Sequence, residues 1–562
     1  MTEHVTIDVP LETVAGNKRR WARLPIPEKI DYLARVRALV LDNADSWVQA
    51  GARLKGFSAK DPLAGSEEWL GGPYPTVAWI SDVINTLKAV NAGKDPLAGI
   101  PVTTRADGQL VLRVMPASIY DRLLLSGYSL DVWMQPGITK ETVRAATFYD
   151  EVDPEGRLTV VLGAGNVSAI PVLDALYALF VQGDVVLLKL NPVADVYGPV
   201  FERIFAPLIE DGYLDIVYGG AQVGEYLVHN DEVDTVHITG SGRSFDAIVW
   251  GSPQAKDSGQ PVLAKPITSE LGGVGPTIIV PGQWTDADIE YQAQHLATQK
   301  LHTSGHTCVA SQVLVLAQNW AQREQFLDAF KRAVLRAPRR RPFYPGASQR
   351  QQDFLTDNPT AEVLDDGQRL ILLEDVDPAS DHPAFGEEFF GPLYVTVTLP
   401  AECVQEYLAD AVAFANERLA GNLGANVIVD DATAKAHADA LDEALAGLRF
   451  GCIGVNAWSA VAFLTSRAAW GAFAGNTARN IQSGSGSVHN SLMLDKPEKN
   501  VVTAPFRPFP RSARHGGLTM AVKPPWFLEN KTALSTARRF THFAADPHPR
   551  RLPGLFASAL RG

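Results

Sequence analysis

The chain has 562 residues, too many for one ordinary core at roughly 150 residues per domain, so two large domains with accessory segments are expected. Hydrophobic residues at 46% and charged residues at 20% exclude a disordered or fibrous class, and a formal charge of -13 argues against a nucleic-acid-binding surface. That charge is uneven: from Val501 onward ten Lys/Arg face two Asp/Glu, so the tail carries +8 and the rest of the chain -21.

The first residues, MTEHVTIDVPLETV, lack the apolar core of a signal segment, and no run reaches about 18 apolar residues, so neither export nor membrane spanning is expected. Helical periodicity follows in EKIDYLARVRALVLDNADSWVQAG, then a Gly/Pro-rich stretch around GGPYPTVAWI. From Leu158 short β-branched runs alternate with amphipathic segments: LTVVLG, PVLDALYALF, DVVLLKL, VYGPVFERIFAPLIE, LDIVYG, DTVHITG. Strand and helix in turn predict a parallel sheet with crossovers, and runs as apolar as VVLLKL predict one covered on both faces. The alternation resumes after Gly272 with PTIIV, a helix from Asp286 to about His302, SQVLVLA, a helix across REQFLDAFKRAVLRA, and then LYVTVTL, ANVIVD and LRFGCIGV. A second α/β domain is expected there. NTARNIQSGSGSVHNSL reads as loop, and the basic tail lies beyond it.

Three cysteines, Cys308, Cys403 and Cys452, form an odd and sparse set, which points to a reducing compartment, the cytoplasm, rather than to a disulfide scaffold. Cys308 sits in LHTSGHTCVASQVLVLA, a run of small and hydroxyl residues between a helix and an apolar strand. A turn of this kind lets a ligand approach a thiol, although a lone cysteine is more often a small buried hydrophobe. Glu270 precedes a Gly-Gly pair in SELGGVGPTIIV. Asn166 follows a strand in LGAGNVSAIP, where a lone asparagine is ordinarily a helix cap.

In their order and separations, Asn166, Glu270 and Cys308 resemble the aldehyde dehydrogenase superfamily. VLLKLNP with Lys189, HITGS with Gly240 and Ser241, EEFFGP with Glu388 and Phe390, and GVN with Asn456 extend the resemblance over residues 160 to 456. It implies an α/β fold with two parallel-sheet domains, a small β oligomerisation arm and a C-terminal extension. The implied boundaries are 1–130 for the N-terminal helical part, 131–157 for the first part of the arm, 158–268 for the NAD(P)-binding core, 269–482 for the catalytic domain, and 483–562 for an oligomerisation strand and the basic extension. It also implies roles. Cys308 attacks an aldehyde, Asn166 and the Cys308 N–H hold the oxyanion, hydride passes to NAD or NADP, and Glu270 activates water to release the acid from the thioester.

For the cofactor the resemblance implies Lys189 on the adenine ribose, Gly240 and Ser241 at a helix start under the pyrophosphate, and Glu388 and Phe390 at the nicotinamide ribose, with no metal. GAGNVSAIP lacks the third glycine of a dinucleotide fingerprint and is not read as one. NAD-preferring relatives often carry a glutamate three positions after the lysine; this chain has Pro192, with Asp195 further along, so the reading leans only mildly to NAD. Glu270 favours the free acid over an acyl-CoA product, while a CoA-acylating dehydrogenase or acyl-CoA reductase stays as the alternative enzyme and a non-catalytic scaffold as the alternative of another class. Ile170, Leu173, Tyr177, Trp458 and Phe463 are candidates to line a route for a long-chain or aromatic aldehyde. The expected partners are that aldehyde and further copies of the chain, as a homodimer or homotetramer, without nucleic acid. The tail has three candidate fates: packing on a neighbouring subunit, ranked first because the body is acidic; covering the substrate route; or lying on an anionic membrane.

Overall fold

A computed structural model describes residues 2–365, 369–517 and 519–562. The chain opens with helices, the longest being Ile26–Lys55, which ends on Gly56 in the left-handed conformation (φ 73°) that a residue without Cβ adopts cheaply. The Gly/Pro-rich stretch that follows opens another helix, Pro73–Asn91, with proline at its first turn where no N–H is needed.

Three strands come next: β1 (Val102–Thr104), β2 (Leu110–Met115) and β3 (Ser129–Met134). The alternating region then supplies β4 (Leu158–Leu162), β5 (Val185–Lys189), β6 (Leu214–Val217), β7 (Thr235–Gly240) and β8 (Ile267–Leu271). After Gly272 come β9 (Gly275–Ile279), β10 (Ser311–Ala317), β11 (Glu362–Leu364), β12 (Leu370–Leu373), β13 (Leu393–Leu399), β14 (Gly424–Ile428) and β15 (Cys452–Val455). β16 (Gly484–Ser485) and β17 (Pro497–Thr503) complete the strands.

These build two sheets. The smaller has the order β16-β8-β7-β4-β5-β6, parallel except for β16. All five residues of β5 are buried, as a strand covered on both faces requires. The order reverses between β4 and β7, so the loops after those strands flank the crevice where open α/β sheets bind ligands; Asn166 lies in the first loop and Ser241 in the second.

The larger sheet runs β1-β2-β3-β17-β15-β14-β9-β10-β13-β12-β11, with a parallel centre and antiparallel edges. The strands β1 and β2 lie within residues 1–130, the segment read as helical, and β3 starts at Ser129, beside the boundary set at 131. They are also continuous with the larger sheet of the same chain, because β17 pairs with β3 on one side and with β15 on the other. Five of the six β2 residues are buried, a pattern that suits a covered strand better than a free ribbon.

The basic tail finds acidic partners within the chain. Arg507 clamps the buried Asp288 through Nε and Nη2 at 2.9 and 2.8 Å, Arg511 reaches the same carboxylate at 2.8 Å, and Arg538 pairs with Asp45 at 2.8 Å. Phe527 stacks on Tyr291 and Phe540 packs tilted against Tyr74, with ring centroids 5.2 and 4.9 Å apart. The helix Ala533–Ala545 thereby lies against Ala64–Leu70 and Pro73–Asn91, and its Thr536 and Phe540 line a second, apolar recess. Among the described residues no helix is long and apolar enough to cross a membrane.

Candidate active site

The helix Asp286–Leu301 and β10 are joined by a tight turn in which Thr303, Ser304 and Gly305 all have positive φ (54°, 56° and 77°). For two non-glycine residues this conformation stores strain, and such strain persists only where the surroundings over-determine it. Here His306 Nδ1 contacts the Phe390 carbonyl at 2.7 Å, and the Asn166 amide donates to the His306 carbonyl at 3.1 Å. Asn166, 6% exposed, is thus no helix cap: Ser168 holds the N-cap position of the helix Ala169–Tyr177. Its amide instead faces the turn that presents Cys308.

Glu270 is the fourth residue of β8 and is 3% exposed. The loop segment β16 pairs Gly484 with it, so the stretch read as plain loop clamps the strand that carries the carboxylate. The Trp470 indole N–H donates to Glu270 Oε1 at 3.1 Å, and the Cys308 thiol lies beside the same side chain. Burial pushes Glu270 up to about 7, helped by the charge of Asp174, while Cys308, the bond from Trp470 and the nearby His237 pull the other way. Burial also holds the Cys308 thiol well above the usual range, and Glu270 adds to this. The pair therefore rests as a neutral thiol beside a carboxyl balanced between its two forms at pH 7.

Glu388 and Glu387 separate clearly. Glu387 is exposed, whereas Glu388 turns inward with Oε1 lacking a partner. Its carboxylate lies so close over Gly272 that a Cβ there would come within 2.1 Å of Oε2, which explains the glycine. Burial raises Glu388 to about 8, with a further push from Glu270, against Lys300 and Arg350. The turn behind it is held by Arg350, which donates to the carbonyls of Phe389 and Phe390 at 3.0 and 3.2 Å. Phe390, at φ 44°, packs its ring against Tyr344 and His306 at 4.8 and 5.4 Å.

The remaining sequence candidates lie on the smaller sheet, apart from Asn456, which follows β15 of the larger one. Lys189 ends β5, 7% exposed, with burial lowering its pKa and Asp195 nearby raising it. Asp195 Oδ1 is buried without a partner. Ser241 caps the helix Gly242–Trp250, its hydroxyl accepting from Ser244 N at 3.1 Å, and nothing lies within 4 Å of where a Gly242 Cβ would be. Asn456 (φ 54°) serves the backbone, its amide bridging the N–H and C=O of Val429 at 2.9 Å each. Cys308, Glu270 and Glu388 are thus brought into mutual interaction and Asn166 onto the same turn, while Lys189 keeps company with Asp195.

Two cavities meet at this site. One holds Cys308, Val167, Ile170, Val309, Trp458 and Phe463, with Trp526 from the tail on its wall; it contains roughly 660 Å3 of space, its mouth included. The other, behind Glu270, is polar and carries Asp174, His237 and Gln135. Asp174 bonds Thr239 at 2.8 Å and His489 at 3.2 Å; burial pushes its pKa up, but the imidazoles of His237 and His489 more than reverse this. Of the residues expected to line an aldehyde route, Ile170, Trp458 and Phe463 line the recess that holds Cys308; Tyr177 lines the polar cavity, and Leu173, 1% exposed, belongs to the core. Sequence reasoning missed Trp470, Tyr344 and Arg350, which lie far along the chain from the residues they hold. It also missed a buried group, Lys55, Glu67, His302 and Arg340, for which only the position of His302 six residues before Cys308 gave a signal.

The fold has counterparts among solved structures. An NAD-dependent aldehyde dehydrogenase from Sinorhizobium meliloti superposes with a TM-score of 0.60 over 89% of this chain and 87% of that one, at 16% identity. An aldehyde dehydrogenase from Pseudomonas syringae, solved with NAD+ and octanal, gives 0.58 over 90% of each chain at 15% identity. Residues 140–354 match the Aldehyde dehydrogenase family model. A dimeric NADP-preferring aldehyde dehydrogenase of Mus musculus is 24% identical over 324 residues, 54% of this chain and 65% of that one. An N-succinylglutamate 5-semialdehyde dehydrogenase of Caulobacter vibrioides is 27% identical over 272 residues, 44% and 53% of the two chains. The chain thus spans between half and two thirds of the length of these two curated relatives. Over residues 140–354 the chain is similar to the Aldehyde dehydrogenase family, and over most of its length it shares the fold of solved aldehyde dehydrogenases.

Proposed function

We propose that this protein oxidises an aldehyde to the carboxylic acid with NAD(P), through a thiohemiacetal and then a thioester on Cys308. The observation that carries the reading is the Cys308 thiol on the wall of a largely apolar recess, beside the buried Glu270 carboxyl and on the turn that the Asn166 amide faces. With its pKa raised, the thiol does not wait as a thiolate. It gives its proton to Glu270 as sulfur attacks the carbonyl carbon, and the oxygen that gains charge is met by the Asn166 amide and the Cys308 N–H, donors of a kind worth roughly 3–4 kcal/mol each in a transition state. NAD(P), when bound, supplies the hydride acceptor that converts the adduct to the thioester. Glu270 first releases the proton it took from Cys308 to the polar cavity behind it, then takes a proton from the attacking water and returns it to the sulfur as the acid leaves. This cavity favours water over CoA as acyl acceptor.

The residues fit the cofactor. The unpartnered Oε1 of Glu388 and Oδ1 of Asp195 are buried acceptors suited to ribose hydroxyls, and the open helix start at Gly242 suits a pyrophosphate. Asp195 beside Lys189 supplies the negative charge that Pro192 does not, which favours NAD over a cofactor with a 2′-phosphate. The largely apolar lining supports aromatic or long-chain aldehydes, and a cysteine nucleophile supports a reducing compartment, the cytoplasm. Aldehyde-dependent formation of NADH without CoA, lost in Cys308→Ala, and a trapped acyl-enzyme in Glu270→Gln test the reading; a strict CoA requirement overturns it.

A further inference from the structure

The recess that holds Cys308 is apolar except at one end, where five side chains carry charge or titrate inside the protein. Lys55 pairs with Glu68 at 2.5 Å, and Glu68 also accepts from the Tyr197 hydroxyl at 3.2 Å. Arg340 pairs with Glu67. The glutamates are 3% and 1% exposed, and all of these except Arg340 and Tyr197 line the recess together with His302 and Cys308. Each charge is thus matched by its opposite, and His302, whose pKa burial lowers to about 4, is neutral. The group offers no net charge to a ligand.

What it does offer is a gap. Glu67 Oε1 has no hydrogen-bond partner, and neither has His302 Nε2; the two atoms are 4.0 Å apart, beyond reach of each other. Thr303 Oγ1 lies 3.2 Å from His302 Nδ1, and with that hydroxyl donating, Nε2 carries the ring proton. One buried acceptor and one buried donor then face the same space, where leaving either unpaired costs about 1–3 kcal/mol. An ammonium would satisfy Glu67 but would meet the His302 N–H, and a carboxylate would meet Glu67. A hydroxyl satisfies both at once, donating to Glu67 and accepting from His302.

We propose that Glu67 and His302 form a substrate subsite for a neutral hydroxyl group, so that the aldehydes this protein prefers carry a hydroxyl remote from the carbonyl, across an apolar aromatic or alkyl spacer. The subsite rests on the aldehyde-oxidising role of Cys308. The spacer packs between Ile170, Val309 and Trp458, whose ring also contacts His302 with centroids 5.1 Å apart.

The test compares matched pairs on the full-length protein: para-hydroxymethylbenzaldehyde against para-methylbenzaldehyde, and ω-hydroxyalkanals of about six to ten carbons against the unsubstituted alkanals. Sites built to bond a hydroxyl discriminate against analogues lacking it, and a preference in kcat/KM of at least about tenfold for the better hydroxylated pair is expected. In His302→Phe that ratio falls to about threefold or less, and His302→Gln, which retains a donor, recovers part of it. Equal kcat/KM for both members of every pair in the unmodified protein overturns the subsite, leaves the aldehyde-oxidising role standing, and means that water alone fills the gap. A ratio that persists unchanged in His302→Phe also overturns it. Absence of NAD(P)H formation with every aldehyde overturns both readings.

Discussion

Replacing Trp470 by phenylalanine removes one hydrogen bond from the carboxyl on which both halves of the proposed cycle depend. The indole N–H donates to Glu270 Oε1 at 3.1 Å in a site where neither residue is more than 3% exposed. That bond favours the carboxylate, so its loss raises the Glu270 pKa above its present value of about 7. A hydrogen bond to a charged group contributes about 1.5–3 kcal/mol and one pKa unit corresponds to about 1.4 kcal/mol, which sets the rise at about one to two units. At pH 7 the ionised fraction then drops from about one half to between about one in ten and one in a hundred, so water activation slows about 5- to 50-fold. The assay is the pH dependence of thioester hydrolysis, followed by single-turnover acid quench and mass spectrometry. The acidic limb should move up by one to two units, with the two proteins converging at about pH 9.5. A limb that stays in place, or a deficit that persists undiminished at high pH, would refute the argument.

Three further outcomes are expected. Asp195→Asn removes the carboxylate beside Lys189 and should raise the ratio of NADP to NAD efficiency by about tenfold or more in steady-state kinetics, because repulsion of a 2′-phosphate is lost. Trp526 stands between the Cys308 recess and a second apolar recess under the tail that includes Tyr128, Leu464 and Phe540. Trp526→Ala should join the two, and kcat/KM across an alkanal series should shift toward longer chains. Arg507→Met leaves the buried Asp288 with Arg511 alone and should destabilise the fold by about 3–5 kcal/mol in denaturant titration. Because the arginines help hold the Asp288 carboxyl below the usual range, the advantage of the unmodified protein should shrink as pH falls through that depressed value.

By itself, the sequence determined the elements of the core and the candidate site residues. Runs such as VVLLK and LYVTVTL are apolar at nearly every position, and only a strand covered on both faces accommodates that, so β5 and β13 were legible from residue type alone. The motifs around Asn166, Glu270 and Cys308 were legible because the resemblance rests on short local strings. The tertiary structure alone decided what lies between those strings. Glu270 gains its position from Trp470, 200 residues away, and from Gly484, and no local pattern encodes either contact. The tail was read outward because a basic segment and an acidic body attract whether or not they belong to one chain; only the fold reveals Asp288 buried under Arg507. The hydroxyl subsite is hidden for the same reason: Glu67 and His302 are ordinary polar residues in sequence, and their two unpaired atoms acquire meaning only when burial removes the water that would otherwise satisfy them.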